Sequence, residues 1–325
     1  MQSFVINLCH TGQDKRARLV NLALMKVVLL VVVSAIAIVV LAEGLLRLLF
    51  GFGDPLLYLA DEEIGYLLAP NQNVRRFGNR IEINQYSMRS GEIDRTATKR
   101  VLMIGDSIVN GGWWTDQKDV LSEELRRADA GAIEVLNASA NSWSPRNELA
   151  YLRRFGTFDA SVIILVINTD DLFGTTPTSL VVGCDRNYPD RKPGSAIAEV
   201  LTRYLLPAPA KPEALKKVQS EGGDRVGANL EAIRQIKQIA QQNQAKFILA
   251  MTPLLREVEP PGSRDYEIKA RQRLLEFTQA EAIEFVDFLS IFQAQSDPAV
   301  ALYRDHIHLS KMGNRIVSER LHKLI

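Results

Sequence analysis

The chain has 325 residues, of which 46% are hydrophobic and 24% charged, and its formal net charge is +1. This composition excludes an intrinsically disordered protein, and the near-neutral charge gives no reason to expect a nucleic-acid partner. The length suits one large domain or two small ones. Local patterns must therefore carry the functional information.

The first such pattern is an apolar run close to the N-terminus. Val27–Ala42 contains a single polar residue, Ser34. A run of this length without a polar stripe predicts a membrane-spanning helix, extended backward if Lys26 reaches the headgroups. We therefore expect an N-terminal segment (1–26) followed by a membrane anchor (27–50).

Charge on the two sides of the run predicts its orientation. Basic residues precede it and acidic residues follow it: Lys15, Arg16, Arg18 and Lys26 before, and Asp54, Asp61, Glu62 and Glu63 after. By the positive-inside rule the N-terminus is cytoplasmic and the remainder is periplasmic or at the cell surface. Cys9 and Cys184 would then lie on opposite sides of the membrane, and no internal disulfide is expected.

Two sequence features bear on whether the anchor is kept or removed, and they point in opposite directions. Val40-Leu41-Ala42 is an acceptable cleavage site for a signal peptide. Glu43 and Arg47, four residues apart in an apolar stretch, instead predict that the helix continues at the membrane surface. We favour a retained anchor.

Beyond residue 50 the chain divides into two parts. Residues 51–99 are polar, carry frequent turn signals, and predict short strands that pack on the main domain. From 100 to 325, apolar runs alternate with helical patterns, which predicts a parallel sheet with helices on both faces and a ligand site at the carboxyl ends of the strands. The expected strands are Val101–Ile104, Ile133–Leu136, Ser161–Ile167, Phe247–Met251 and Phe285–Phe288.

The alternation lapses at about 172–224, where prolines are frequent. One interpretation is an insertion that acts as a lid or substrate-recognition loop beside the site. The other is a plain surface excursion.

A candidate nucleophile follows the first expected strand. Ser107 lies within Gly105-Asp106-Ser107-Ile108-Val109-Asn110-Gly111-Gly112, where a tight turn would expose its hydroxyl. The alternative is a serine that merely caps the next helix. A serine nucleophile needs a base, commonly a histidine held by a carboxylate.

Elimination selects that base among the four histidines. His10 would lie across the membrane, and His322 is on an expected terminal helix. His306 and His308 remain, and Asp305 is close enough in sequence to orient His308. A zinc site on these two histidines is the alternative, although no cysteine accompanies them.

Two blocks of the chain resemble the SGNH/GDSL hydrolases (GDSL-like lipases and acylhydrolases). Gly105-Asp106-Ser107 resembles the first block of that family, and Asp305-x-x-His308 followed by Leu309-Ser310 resembles the last. The resemblance covers roughly residues 100–325. It implies a three-layer α/β/α fold, ester hydrolysis or acyl transfer through an acyl-serine, and no metal or organic cofactor.

The middle blocks depart from the family pattern. Ser139 stands where the family has a glycine whose amide contributes to the oxyanion hole, beside the amide of Ser107. Asp170 stands where the family has an asparagine donor, and an ionised carboxylate cannot donate a hydrogen bond. Asn168 or Asn141 would then supply the donor, or Asp170 would be protonated. Gly111, Trp113 and Asn141 are the residues expected to contact the substrate.

The resulting hypothesis is a membrane-anchored serine esterase that acts on acyl groups, preferably O-acetyl groups, of envelope polysaccharide. Three alternatives remain open. An O-acyltransferase would use the same acyl-enzyme. A lysophospholipase or thioesterase would act on acyl lipids. A non-catalytic binding protein would retain the fold with a degenerate oxyanion hole.

Overall fold

The computed structural model describes the backbone of residues 2–325 and the side chains of residues 18–325. The side chains of Cys9 and His10 lie outside the described residues, whereas Cys184 is a free, exposed cysteine. The chain opens with helix α1 (Gln2–Leu45), which continues into a π-helical turn at Leu46–Phe50.

The membrane prediction rests on this first helix. Among the described residues, Arg18–Phe50 is the one helical stretch long and apolar enough to cross a membrane, with a mean hydropathy of 3.0 and no burial inside the protein. The predicted pair is also present, because Glu43 and Arg47 form an ion pair of 2.7 Å one helical turn apart. Length and composition make α1 compatible with an anchor and equally with a signal sequence.

Two antiparallel hairpins follow the first helix. Strands β1 (Tyr58–Asp61) and β2 (Gly65–Leu68) form one hairpin, and β3 (Gln72–Arg76) and β4 (Asn79–Ile83) form the other. Their buried apolar side chains, which include Tyr58, Leu68, Val74 and Ile81, belong to the same core as one face of the main sheet.

The main sheet has five parallel strands in the order β6-β5-β7-β8-β9. Their bounds are β5 Arg100–Gly105, β6 Glu134–Ser139, β7 Val162–Asn168, β8 Lys246–Thr252 and β9 Glu284–Asp287. The chain runs outward from β5 to β6 and then crosses back to β7, so the order of winding reverses between β5 and β7. In sheets of this kind, ligands bind at such a reversal, beyond the carboxyl ends of the strands.

Helices cover both faces of this sheet, so the predicted three-layer α/β/α fold is confirmed. The remaining helical bounds are α2 Ser107–Asn110, α3 Leu121–Ala128, α4 Pro145–Phe155, α5 Ala196–Val200, α6 Glu213–Gln219, α7 Arg225–Gln242, α8 Leu255–Val258, α9 Asp265–Ala280, α10 Leu289–Gln293, α11 Pro298–Leu302 and α12 Lys311–His322. Alternate strand residues point to opposite faces of the sheet. Leu102 and Leu165 pack toward α4, α7 and α9, whereas Met103 and Ile164 pack toward α2, α3 and α12.

The segment at 172–224 is more regular than its prolines indicate. After a 3₁₀ turn at Thr169–Phe173 it contains α5, a π-helical turn at Leu201–Leu205, and α6. Its backbone also bonds to the first hairpin, where the Tyr58 amide donates to the Pro189 carbonyl at 2.9 Å.

Candidate active site

Ser107 sits at the carboxyl end of the strand beside the winding reversal. The strand ends at Gly105, where a Cβ would approach the Val166 carbonyl oxygen to 2.5 Å and the Val109 side chain to 2.6 Å. Only glycine fits this close approach. Asp106 then caps α2 by accepting a hydrogen bond of 2.8 Å from the Ile108 amide, and Ser107 is the first residue of that helix.

His308 comes from a short loop between α11 and α12. The loop is closed by an antiparallel bridge between Tyr303 and Leu309 and by a 2.8 Å bond from the Arg304 amide to the His308 carbonyl. Within it, Asp305 Oδ1 accepts from the backbone amides of Ile307 at 3.1 Å and His308 at 2.9 Å. The loop therefore folds its own carboxylate against its own imidazole.

Three side chains predicted from the sequence meet in one chain of contacts. His308 Nε2 lies 3.0 Å from Ser107 Oγ, and His308 Nδ1 lies 2.9 Å from Asp305 Oδ2. With the ring proton on Nδ1, that nitrogen donates to Asp305 and Nε2 accepts from the serine hydroxyl. Burial raises the pKa of Asp305, but the hydrogen bonds from the backbone and ring of His308 outweigh it and lower the pKa to about 2.

Trp114 packs on the outer side of the imidazole. Its ring centroid lies 4.3 Å from that of His308, and the Arg304 guanidinium lies 5.0 Å above the tryptophan ring. Gly112 permits this arrangement, since a Cβ there would come within 2.4 Å of the Trp114 ring. Nothing in the sequence indicated that Trp114 contacts His308.

A buried arginine holds the loop behind the nucleophile. The Arg89 side chain is fully buried and donates to the carbonyl oxygens of Asn110 and Gly112, and to that of Thr115 at 2.5 Å. Burial lowers its pKa to about 9. Sequence analysis missed this residue, because its role depends on which carbonyls the loop turns inward.

The turn after β6, rather than β6 itself, reaches the site. Ser139, the last residue of β6, pairs with Gly105 at the carboxyl end of the sheet, is almost fully buried, and does not line the cleft around Ser107. Asn141 and Ser142, two and three residues further on, do line that cleft. Ser142 adopts a left-handed backbone with φ of 61°, which re-aims the chain at this point.

Two tyrosines from outside the sheet fix this turn. The Tyr66 hydroxyl, from β2, donates to the Asn141 carbonyl at 2.7 Å, and the Tyr188 hydroxyl donates to Ser142 Oγ at 2.9 Å. Asn141 Oδ1 is buried and has no hydrogen-bond partner. An amide oxygen can only accept a hydrogen bond, so any donor role of Asn141 belongs to its Nδ2 group.

The side-chain amide of Asn168 makes contacts other than the oxyanion contact that the sequence suggested. Its Nδ2 group donates to Asp106 at 2.8 Å and to Asp171 at 2.9 Å, which uses both amide hydrogens. Asp170 is exposed, lies 4.0 Å from Arg256, and does not line the cleft. Partial loss of solvent around its carboxyl group raises the pKa of Asp170, and the positive charge of Arg256 opposes that effect.

Three carboxyl groups lie buried behind the nucleophile. Asp106 Oδ2 is 3.1 Å from Ser107 Oγ, so it competes with His308 for the serine hydrogen. Burial raises the pKa of Asp106, that of Asp171 and that of Glu148, and the negative charge of Asp106 raises the latter two further. Glu148 has no hydrogen-bond partner on either oxygen, which favours its neutral form.

The cleft itself encloses about 270 Å³. Ser107 and His308 lie at its base, and its walls come from the two hairpins, from the turn after β6 and from residues 187–204. Trp113 and Asn141 line it as predicted for substrate contacts. Gly111 does not: it is buried at the end of α2, where a Cβ would press against Val120 and Thr115. His306 is exposed outside the cleft.

The fold and the grouping of Ser107, His308 and Asp305 define the class of protein to compare with: α/β proteins that group a serine, a histidine and a carboxylate at the carboxyl end of the sheet. Residues 103–316 match the model of the GDSL-like lipase/acylhydrolase family, and the chain belongs to this family. Family membership implies esterase or acylhydrolase activity. Comparison with curated proteins finds no match.

Solved structures with a similar chain trace include an acetyl xylan esterase, AlAXEase, at 13% identity and a TM-score of 0.46, covering 70% of this chain and 99% of that one. A lipase/acylhydrolase from Enterococcus faecalis has 12% identity and a TM-score of 0.42, covering 70% and 95%. A member of the lipolytic G-D-S-L family from Veillonella parvula has 12% identity and a TM-score of 0.45, covering 70% and 98%. At these identities the substrates of those proteins do not transfer to this chain.

Proposed function

We propose that this protein is a serine esterase in which Ser107 is the nucleophile, His308 the general base and Asp305 the residue that orients it. The observation that carries the proposal is the pair of contacts on the two imidazole nitrogens, 3.0 Å to Ser107 Oγ and 2.9 Å to Asp305. Such a geometry lets one proton move from the hydroxyl to the ring while the carboxylate stabilises the imidazolium.

The reaction then has two balanced halves. Ser107 Oγ attacks the ester carbonyl, its proton passes to His308 Nε2, and the same proton leaves with the alcohol as the acyl-serine forms. In the second half, water gives a proton to His308 Nε2 and attacks the acyl-serine. The acyl–Oγ bond breaks, the proton on Nε2 passes to Ser107 Oγ, and the acid is released. A sugar hydroxyl in place of water turns the same acyl-enzyme into a transferase.

For the oxyanion we propose donors on the turn after β6 together with the Ser107 amide. The side-chain amide of Asn141 is the best candidate, because Asn141 lines the cleft and its Nδ2 group is a hydrogen-bond donor. Ser139, the last residue of β6, does not line the cleft, and Asn168 uses both amide hydrogens on Asp106 and Asp171. Donors aimed at the developing charge are worth about 3–4 kcal/mol each in related chemistry.

The dimensions of the cleft favour a small acyl group. About 270 Å³ is less than the ~300–1,000 Å³ typical of sites for drug-sized ligands. This supports the O-acetyl groups of envelope saccharides over a long acyl chain. We also propose that α1 is a retained anchor with its N-terminus in the cytoplasm, in line with the charges around the apolar run.

Turnover of 4-nitrophenyl acetate by the full chain in detergent tests the proposal. Wild type should release nitrophenol and carry a trapped acetyl group on the peptide that contains Ser107, as judged by mass spectrometry after acid quench. Ser107→Ala should do neither. Ser290→Ala, which changes an exposed serine on α10, is the control and should retain the acetyl-enzyme.

A further inference from the structure

An apolar surface surrounds the point where α1 joins the folded domain. We define this membrane-proximal patch by six exposed side chains: Leu48 and Leu49 of the first π turn, and Leu201, Tyr204, Leu205 and Leu206 of the second. Leu48 is 78% exposed and Leu205 is 70% exposed. Contiguous exposed leucines on a monomer mark a surface that contacts another apolar phase.

The patch is fixed to α1 by polar contacts. The Glu43 carboxylate, two residues before the end of α1, accepts from the amides of Ala196 at 2.8 Å and Ile197 at 3.0 Å, at the start of α5. A second attachment follows, where the Phe77 amide donates to the Phe50 carbonyl at 3.0 Å. Any membrane that holds α1 therefore lies against the patch.

A buried ion pair fastens the same junction. Glu199 of α5 pairs with Arg76 of β3, both almost fully buried, and also accepts from the Gly53 amide at 2.6 Å. The Arg76 guanidinium in turn stacks 4.3 Å above the Phe52 ring. The end of the anchor, the second hairpin and the 172–224 segment thus form one unit.

From this junction a row of aromatic rings leads to the candidate base. Ring centroids are separated by 5.8 Å from Phe50 to Phe77, 5.1 Å from Phe77 to Trp113, 5.7 Å from Trp113 to Trp114, and 4.3 Å from Trp114 to His308. Phe77 and Trp113, together with Tyr204 of the patch, line the cleft that contains Ser107. The cleft therefore begins where the patch ends.

We propose that the cleft takes its ester from the surface of the membrane that holds α1: a small acyl ester on the headgroup of a lipid. The inference rests on the esterase function proposed above and adds the carrier of the substrate. Aromatic side chains favour the interface between hydrocarbon and water, where such a headgroup lies. The volume of about 270 Å³ admits the acyl group, while the lipid chains stay in the bilayer.

The continuity of the patch with the apolar helix selects a bilayer as its occupant. A soluble polysaccharide would gain nothing from exposed leucines beside the cleft. A second copy of the chain would have to compete with the bilayer for the patch, because both copies of α1 lie in the membrane beside it.

The test uses the full chain in vesicles of equal parts phosphatidylcholine and phosphatidylglycerol. Two acetyl esters are compared: an acetylated glucoside with a long alkyl chain, held in the vesicle, and the same acetylated sugar as its soluble methyl glucoside. Lysophosphatidylcholine, whose only carboxylic ester is that of its own acyl chain, forms a third arm.

Leu205→Asp with Leu206→Asp should lower turnover of the vesicle-held acetate about tenfold, while turnover of the soluble acetate stays within about twofold of wild type. The matched control is Ile268→Asp with Leu275→Asp, two exposed positions on α9 away from the patch, and both activities should be kept. Leu205→Gln with Leu206→Gln gives a milder version if the charged variant fails to fold.

An unchanged ratio of the two activities in the patch variants, or an equal fall in the α9 control, would overturn the inference. Faster release of fatty acid from lysophosphatidylcholine than of acetate from the vesicle-held sugar would also overturn it, because the scissile ester would then be that of the lipid chain. Wild type that cleaves neither acetate would instead contradict the esterase function itself.

Discussion

The two ends of the candidate proton path come from regions that are built differently. Gly105, Asp106 and Ser107 are buried at the carboxyl end of β5, a strand that is bonded to β6 on one side and β7 on the other. Asp305 and His308 lie in a loop that is partly exposed and is held mainly by its own hydrogen bonds. The core thus positions the proposed nucleophile, and local bonding positions the proposed base.

This difference predicts how substitutions should separate activity from stability. Changes in the histidine loop should alter turnover far more than they alter the free energy of unfolding. Changes behind the nucleophile should alter both, because the buried groups there also support the sheet.

The largest effect is expected at the reacting pair. Ser107→Ala and His308→Ala should each lower kcat by at least about 10⁴-fold, and the double variant should be little worse, because the two residues act as a unit. Rates of acetyl ester hydrolysis by the three variants test this. Additive losses in the double variant would contradict a shared role.

Asp305→Asn should lower kcat by about 10³- to 10⁴-fold, since an amide favours the wrong tautomer of His308. Because the lowered pKa keeps Asp305 ionised down to about pH 2, it should not titrate in the pH profile of wild type above about pH 3. The stability that this group contributes is present above its ordinary pKa and is lost as pH falls toward 2.

The measurement for Asp305→Asn is kcat from pH 4 to pH 9, with thermal unfolding followed in parallel. His306→Asn, an exposed neighbour in the same loop, is the control and should resemble wild type. A variant that regains full kcat at high pH would mean that Asp305 does not orient the ring.

Asn141→Ala tests the proposed oxyanion donor and should lower kcat by about 10²-fold with little change in KM. Asn187→Ala, at another amide that lines the cleft, serves as the control. A fall confined to KM would assign Asn141 to ground-state binding of the substrate and remove it from the oxyanion hole.

The smallest effect is expected behind the nucleophile, at Glu148. Its pKa is raised in the folded protein, so the folded state holds a proton that the unfolded chain releases, and stability falls as pH rises above the ordinary carboxyl pKa. Glu148→Gln should remove this fall, on the order of 1 kcal/mol per pH unit, and raise the Tm at pH 8 more than at pH 5.

Thermal unfolding of the full chain in detergent, followed by circular dichroism at the two pH values, measures the effect. Glu123→Gln, on the surface of α3, should leave the pH dependence of wild type in place. An equal change in Tm at both pH values for Glu148→Gln would show that the buried carboxyl is ionised.

The sequence predicted best what depends on local pattern. Runs such as Ser161–Ile167 can only be buried strands, and Ser107 follows directly from the end of such a run. His308 was found by elimination among four histidines, and Asp305 by its spacing. The fold and the three residues that the structure brings together could therefore be predicted.

What could not be predicted depends on contacts between distant segments. Strand β6 continues to Ser139, which does not line the cleft, whereas Asn141 and Ser142 line it after the chain turns. Asn168 is held by Asp106, 62 residues earlier. The contact of Trp114 with His308 and the membrane-proximal patch likewise follow from tertiary packing.

If the histidine loop activates a serine held by the core, that serine should react with a fluorophosphonate probe. Labelling of the full chain in detergent, mapped by mass spectrometry, measures this reaction. We expect near-stoichiometric labelling on Ser107 that disappears in both Ser107→Ala and His308→Ala. A folded wild-type protein that is not labelled, or labelling that persists in His308→Ala at the wild-type rate, would contradict it.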